Sequence, residues 1–275
     1  MKKYELIKQE SGFFRIKALK DFGDIKKGEL GGLIQKESNL SQCGDAWIYI
    51  DARAYDNAKV YGNAKVRGNA EVYEHALIGD IAEVHGNAKV YGNAKVYEDT
   101  LICDDAKVCG NAEVYGEALI CNDAKVYGNS EVYDNALVCG DAEIYGNAKV
   151  YDFAEVNDNS KVYCNAEVHG DSKVYEYAEV CGNAEVCGDA KVFDSILMNG
   201  KIHERFTKIS SILCGERIMT IYQDLNGYLK CNIGCQEGMT LEDLLKRIEE
   251  DGGMKPHRKQ YVNIMKNAKS ILNIE

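Results

Sequence analysis

The sequence predicts a mainly β protein, a solenoid of short parallel strands, and two periodic features carry that prediction. Every sixth residue from 48 to 192 is Val or Ile, with Ala54 as the exception. Two residues before each of these, from 46 to 190, stands a small residue. It is Ala except at Thr100, Ser130, Ser160 and Ser172. A six-residue unit is too short for a helix pair or a propeller blade, but it fits one short strand and one tight corner.

Each unit explains its own residue types. In a strand such as K-V-Y, the Val points to one side and its two neighbours point to the other. We therefore expect the Val and Ile side chains to face inward and the small residue to fill a crowded inner corner. Gly, Asn and Asp at the corner supply the positive φ that a tight corner needs. Coils of this kind bury their apolar face by stacking on their neighbours.

The unit V-Y-G-N-A-K resembles the hexapeptide-repeat left-handed parallel β-helices, which place an aliphatic residue first and a small one fifth. Tyr at the second position departs from the usual small or acidic choice. The resemblance implies a left-handed coil of three hexads, or eighteen residues, and hence about eight coils here. It also implies a homo-oligomer, most often a trimer formed through flat faces.

An eighteen-residue coil predicts columns of outward side chains, and these columns differ between the three faces. Two faces carry mainly Tyr after the inward residue, as in Tyr55, Tyr73 and Tyr91. The first face instead gathers six apolar residues at eighteen-residue spacing, which we call the first-face block: Leu101, Cys103, Leu119, Cys121, Leu137 and Cys139. Six contiguous apolar side chains on a surface favour a contact. Association with another copy, docking of the chain's own C-terminal domain, and simple tolerance are the three explanations. The tyrosine columns themselves suit either structural stacking or the binding of sugar rings or bases.

The ends of the chain have a different character from the repeat. Residues 1–45 are predicted to be an N-terminal β cap, with KYELI and FRIKAL as strands. The stretch FRIKALKDFGDIKKGELGGLIQKESNLS resembles the leader of uncharacterised phage and prophage proteins that carry this repeat. Residues 46–194 form the repeat. Residues 195–275 predict a small α+β domain, with a hairpin around Asn226-Gly227, a helix in TLEDLLKRIEE and a second helix from about residue 258.

Charge and cysteine content exclude several functions. The net charge is −11, and the excess of acidic side chains lies in the repeat, so a nucleic-acid polymer is an unfavourable partner. No apolar stretch is long enough to span a membrane, and the N-terminus does not resemble a signal peptide. These features predict a cytoplasmic protein.

The 11 cysteines are odd in number and mostly replace Tyr in the repeat, which favours reduced thiols over a disulfide framework. Cys231 and Cys235 form a CxxxC pair without a second pair, which disfavours a zinc site.

The candidate chemistry is sparse. The linker MKPHRKQ clusters Lys255, His257, Arg258 and Lys259, and with Arg67 and His85 these are the candidate ligands for an anion. The superfamily that the repeat resembles includes many acyltransferases, which use a histidine base near a groove between subunits, often beside an extruded loop. The repeat here has no extruded loop, and its histidines stand singly. We therefore assign no catalytic residue, metal or cofactor from the sequence.

The sequence favours a non-enzymatic, oligomeric binding or scaffold protein of phage or prophage origin. Two alternatives remain. One is a phage counter-defence protein that sequesters a small anionic signal such as a nucleotide. The other is an acyltransferase of the hexapeptide-repeat type.

Overall fold

A computed structural model gives the fold, a parallel β-solenoid of about nine turns of roughly 18 residues followed by a small C-terminal region. The chain divides into two compact units, residues 1–146 and 147–275. The structure describes the following residues: 2–188, 190–192, 197–201, 206–214, 217–224, 228–233, 236–250 and 258–268. Within 197–220, 223–224 and 232–237 it describes the backbone only.

The first unit opens with an antiparallel sheet of three strands, Tyr4–Lys8, Phe14–Ala18 and Leu30–Ile34. The first two are the strands that the sequence predicts, and the third was not predicted. Residues 33–34 pair in parallel with Arg53–Ala54, so the parallel ladder begins before the repeat does. A short 3₁₀ helix, Glu37–Asn39, follows, and Leu40 then bridges to the ladder at Val60. The leader thus extends the parallel ladder ahead of the repeat on two of the three faces.

The remaining strands of the first unit are each two residues long and fall on three faces. The predicted three-residue strand shortens because its last residue already turns into the corner. The strands of the first face are Trp47–Ile48, Lys65–Val66, Glu83–Val84, Leu101–Ile102, Leu119–Ile120 and Leu137–Val138. The strands of the second face are Arg53–Ala54, Glu71–Val72, Lys89–Val90, Lys107–Val108, Lys125–Val126 and Glu143–Ile144. The strands of the third face are Lys59–Val60, Leu77–Ile78, Lys95–Val96, Glu113–Val114 and Glu131–Val132.

The register confirms the eighteen-residue coil. Leu101 pairs with Leu119, Lys107 with Lys125, and Glu113 with Glu131, all in parallel. The inward Val and Ile residues and the small corner residues are fully buried, as predicted. Where the small residue is polar its hydroxyl bonds to a backbone carbonyl, as in Thr100 Oγ1 to the Tyr97 oxygen at 2.7 Å. Burial of these hydroxyls therefore leaves no donor without an acceptor.

The corners turn on one residue of positive φ, two positions after the inward aliphatic residue. Gly fills it at Gly92 with φ +73°, and Asp fills it at Asp134 with φ +55°. The sequence predicts Gly, Asn or Asp for this place, and the structure adds Glu and Cys, as at Cys164 with φ 62°. A single left-handed residue costs about 1–2 kcal/mol for a side chain with a Cβ, which explains the frequent Gly.

The second unit continues the same pattern and ends in an α+β region. Its repeat strands are Lys149–Val150, Glu155–Val156, Lys161–Val162, Glu167–Val168, Lys173–Val174, Glu179–Val186 and Lys191–Val192. Leu197–Lys201 adds in parallel to Glu179–Val186. An antiparallel sheet of four strands follows in the order Phe206–Cys214, Arg217–Asp224, Leu229–Ile233, Gln236–Met239. Its middle pair is the hairpin that the sequence predicts, whereas the turn at Asn226-Gly227 lies outside the described residues.

Both predicted helices are present, at Leu241–Glu250 and Arg258–Lys266. The Thr240 Oγ1 atom accepts the Asp243 N–H at 3.2 Å, and the Asp243 carboxylate accepts the Thr240 N–H at 3.0 Å. This is the predicted capping box, in its Asp variant. The helices and the sheet share one apolar cluster: Ile221, Cys231, Met239, Leu244, Ile248, Tyr261, Val262, Ile264, Met265 and Ala268.

Candidate interaction surface and candidate ligand clusters

The first-face block lies where the coil spacing predicts it. Leu101, Leu119 and Leu137 are direct ladder partners, so their side chains form one continuous row. All three leucines are half-buried by their neighbours in the row, while Cys103 is 8 % exposed. In the preceding coils the same row carries Lys65 and Glu83, which form an ion pair at 3.5 Å. The block is therefore a flat apolar strip on an otherwise charged face.

The cysteines of the block correct one prediction. Cys121 and Cys139 form a disulfide, whereas the sequence favoured reduced thiols. The reason is the coil itself. Residues eighteen apart are ladder neighbours, and the Cα atoms of this pair are 4.8 Å apart, within the range that a disulfide requires. Neither the predicted compartment nor the odd number of cysteines gives the distance between two particular cysteines, so neither argument could predict this disulfide. Disulfides are rare in the cytosol, so the cytoplasmic location stays a prediction.

Cys103 belongs to the same column but remains a free thiol. Burial raises the pKa of this thiol to about 11, and the nearby Asp104 carboxylate adds to the shift. At neutral pH Cys103 is therefore protonated and a weak nucleophile. Its role in the block is that of a small apolar side chain.

The tyrosine columns are stacked as the coil predicts. The rings of Tyr55, Tyr73 and Tyr91 follow one another at 5.0 and 4.8 Å, parallel to within 2°. Hydroxyl groups of the columns reach a carboxylate sixteen residues later, as in Tyr97 Oη to Glu113 Oε2 at 3.4 Å. Each inner ring has its faces occupied by neighbouring rings, so a sugar or a base finds no free face there. The geometry favours a structural role for these columns.

The two candidate anion ligands in the first unit, Arg67 and His85, have different surroundings. The Arg67 guanidinium lies 4.5 Å from the Tyr49 ring centre and forms ion pairs with Asp24 at 3.7 Å and Glu83 at 3.9 Å. Its charge is thus balanced by two carboxylates, which weakens it as an anion ligand. His85 is the next residue in this column and is half-buried.

The other candidate anion ligands lie in the second unit. Arg258 and Lys259 are exposed at the start of the helix Arg258–Lys266, and Arg258 Nε donates to Glu249 at 3.3 Å. Lys255 and His257 lie outside the described residues. Anion binding by this cluster stays a prediction.

One cluster was missed in the sequence. His169, on the third face of the second unit, has its Nε2 3.4 Å from Glu185 Oε1 and its Nδ1 3.7 Å from Asp152 Oδ2. Cys187 follows His169 in the same column, and the ligand atoms of His169, Glu185 and Cys187 all lie within 4.8 Å of one another. The signal that identifies it is a diagonal: the ring position of one coil meets the carboxylate sixteen residues later, as Tyr151 meets Glu167 at 3.3 Å. In the sequence His169 is one of the histidines that stand singly in the repeat.

Comparisons with known proteins add little to this picture. No family model matches the chain, and no curated protein sequence matches it. Among solved structures, the chain is similar to the UDP-N-acetylglucosamine acyltransferase from Campylobacter jejuni. The identity is 11 %, the match covers 79 % of this chain and 89 % of that one, and the TM-score is 0.28. Such values support no inference about activity.

The coil geometry defines the class of the protein. Six-residue units, three faces and an eighteen-residue parallel register give this chain the fold of the hexapeptide-repeat β-helices, the superfamily that its sequence resembles. No helix among the described residues is long and apolar enough to cross a membrane.

Proposed function

We propose that the chain is a non-catalytic binding or scaffold protein that self-associates through the first-face block. The observation that supports this proposal is the row Leu101, Leu119 and Leu137, three ladder partners whose side chains share one strip. Contiguous apolar side chains on a charged face are characteristic of a contact surface.

A second copy of this chain is the occupant that the strip suits best. The strip is flat and regularly spaced, so the same strip on another copy can face it row against row. Symmetric homo-oligomers are also the commonest assemblies of soluble proteins, and they reuse one surface patch on every subunit. The superfamily that the sequence resembles commonly trimerises, and in a trimer the three strips would meet around a threefold axis instead of in pairs.

The energetic contribution of the leucines is moderate for each and appreciable for an assembly. Full burial of a Leu side chain is worth about 1.5–3 kcal/mol, and these leucines are already half-buried, so roughly 1 kcal/mol remains for each. Several leucines from each copy then contribute at a single interface. A charge placed in the middle of the row would be buried without a partner, which costs several kcal/mol.

The test is the molar mass of the full chain in solution, with Leu119→Asp compared against Leu77→Asp. Both positions precede an inward residue and both are half-buried, but Leu77 lies on the third face between Lys59 and Lys95. The proposal expects a wild-type mass that is a multiple of 30.6 kDa, a monomer for Leu119→Asp, and no change for Leu77→Asp. A monomeric wild type, or an oligomer that survives Leu119→Asp, contradicts it.

The origin, the location and the ligand of the assembly are separate from its self-association. A phage or prophage origin rests on the leader resemblance, and both this origin and a cytoplasmic location remain predictions. Capture of a small anion and acyl transfer are the alternatives from the sequence, and neither has a described residue cluster that favours it over the proposal.

A further inference from the structure

The third face of the second unit carries a group of three potential metal ligands. His169 and Cys187 occupy consecutive places in a column that holds tyrosines elsewhere except at Gly79. Glu185 directly precedes the inward Val186 and is the ladder partner of Glu167. Their imidazole nitrogen, thiol sulfur and carboxylate oxygen lie within 4.8 Å of one another. Within the described part of the chain, this is the group of His, Cys, Asp and Glu whose ligand atoms converge in this way.

The distances suit a tetrahedral ion. Zinc binds His nitrogen at about 2.0–2.1 Å, Cys sulfur at about 2.3 Å and carboxylate oxygen at about 2.0–2.2 Å, so neighbouring ligand atoms lie roughly 3.4–3.7 Å apart. The His169 Nε2 to Glu185 Oε1 distance is already 3.4 Å. The sulfur needs only a side-chain adjustment to reach the same shell, because all three atoms are within 4.8 Å.

The surroundings orient the histidine as a ligand. Tyr151 stacks on the His169 ring at 4.7 Å with parallel planes, which fixes the plane of the imidazole. Asp152 stands behind the ring, with Oδ2 3.7 Å from Nδ1, and the same oxygen accepts the Gly170 N–H at 3.1 Å. A carboxylate behind the second nitrogen is the usual support of a metal-bound imidazole, since it sets the tautomer and raises ligand basicity.

A comparison inside the chain separates this group from a chance substitution. His85 and Cys103 also occupy consecutive places of one column, on the first face. The residue sixteen after His85 is Leu101, where the residue sixteen after His169 is Glu185. A His followed by a Cys in one column therefore has the carboxylate of Glu185 at the diagonal position on the third face. On the first face the same position holds the apolar side chain of Leu101.

We propose that His169, Glu185 and Cys187 bind a zinc ion, with Asp152 supporting His169 and water in the fourth position. Side-chain exposures of 22 % for His169 and 25 % for Glu185 leave that fourth position open to solvent. Mixed nitrogen, sulfur and oxygen ligands suit zinc, which is of borderline softness. This inference is independent of the proposed self-association, because it uses another face and other residues.

The test uses the full chain, stripped of metal with a chelator and kept in its disulfide form, and titrated with Co²⁺ and then Zn²⁺. The proposal expects one tight site per chain, a near-ultraviolet charge-transfer band from a cobalt–thiolate bond, and displacement of Co²⁺ by Zn²⁺. Cys187→Ser should abolish the band. His169→Gln and Glu185→Gln should each weaken the affinity at least tenfold, and Asp152→Asn should weaken it by about 10- to 100-fold.

Matched controls show whether the site is the one named. His85→Gln and Cys109→Ser change half-buried residues at equivalent repeat positions and should leave affinity and spectrum unchanged. Thermal unfolding of each metal-free variant checks that it folds. Absence of a tight site overturns the proposal. So does a band that survives Cys187→Ser, or one that is lost on Cys231→Ser, since the metal would then belong to the CxxxC pair.

Discussion

The buried lysine of the leader gives a prediction whose size follows from the structure. Lys3 is 1 % exposed, and its Nζ donates to the backbone oxygens of Ala46 at 2.8 Å and Gly44 at 3.2 Å. Burial lowers the pKa of this amine from 10.5 to about 8, although Asp45 and Cys43 act in the opposite direction. Each pKa unit corresponds to about 1.4 kcal/mol, so the charged form of Lys3 costs the folded leader about 3 kcal/mol.

The sign of the pH dependence follows from which state holds the proton. Between pH 8 and 10.5 the unfolded chain keeps the Lys3 proton and the folded chain has lost it. The free energy of unfolding therefore rises with pH across this window, by up to about 3 kcal/mol, and below pH 8 this contribution is constant. Lys3→Met removes the titrating group, so its unfolding free energy should lack this rise.

The assay uses the single tryptophan of the chain. Trp47 is 1 % exposed, follows Ala46, and packs edge-on against Tyr4 and Phe22, so its fluorescence reports unfolding of this region. Denaturant titrations of wild type and Lys3→Met at several pH values from 7 to 10.5 give the difference. Burial also raises the pKa of the Tyr4 hydroxyl, which lowers stability at high pH in both proteins and cancels in that difference. Equal pH slopes for the two proteins between pH 8 and 10.5 would refute the reasoning.

Three further predictions concern a corner of the coil, the disulfide and the cap of the helix Leu241–Glu250. Gly92→Ala places a Cβ about 2.7 Å from the Gly110 nitrogen, whereas Gly12→Ala, also at positive φ, meets nothing within 4 Å. Denaturant titration should therefore show Gly92→Ala to be the more destabilising by about 1–3 kcal/mol, and equal losses would disprove the clash. Loss of the disulfide, measured as Cys121→Ser against wild type, should lower the unfolding free energy by about 3 kcal/mol for a loop of this length; an unchanged value would mean that the bond does not form. Asp243→Ala should cost about 1 kcal/mol and reduce helical circular dichroism, with Glu242→Ala as the neutral control; equal effects would argue against the cap.

The repeat was predictable because its physics is local and periodic. A period of six fixes which side chain points inward, and a period of eighteen fixes which residues stack, so the first-face block followed from spacing. The strands Tyr4–Lys8 and Phe14–Ala18 followed from alternation. The strand Leu30–Ile34 did not, because LGGLI lacks that alternation and owes its place to close packing of Gly31 and Gly32 on the next coil.

The two features that escaped prediction both depend on distances between coils. Predicting the Cys121–Cys139 disulfide requires the ladder spacing to be used as the distance between two cysteines and not only as a guide to side-chain packing. The His169 cluster needs a diagonal that joins residues sixteen apart, and no single motif in the sequence contains both ends of it. Spacing rules taken from the coil would identify both in a related repeat.

The most direct test of the central claim is the solution mass of the wild-type chain beside Leu119→Asp, measured by light scattering coupled to gel filtration. Self-association through the first-face block predicts a wild-type assembly, a 30.6 kDa monomer for Leu119→Asp, and a wild-type mass for Leu77→Asp. Equal masses for the wild type and Leu119→Asp would contradict it.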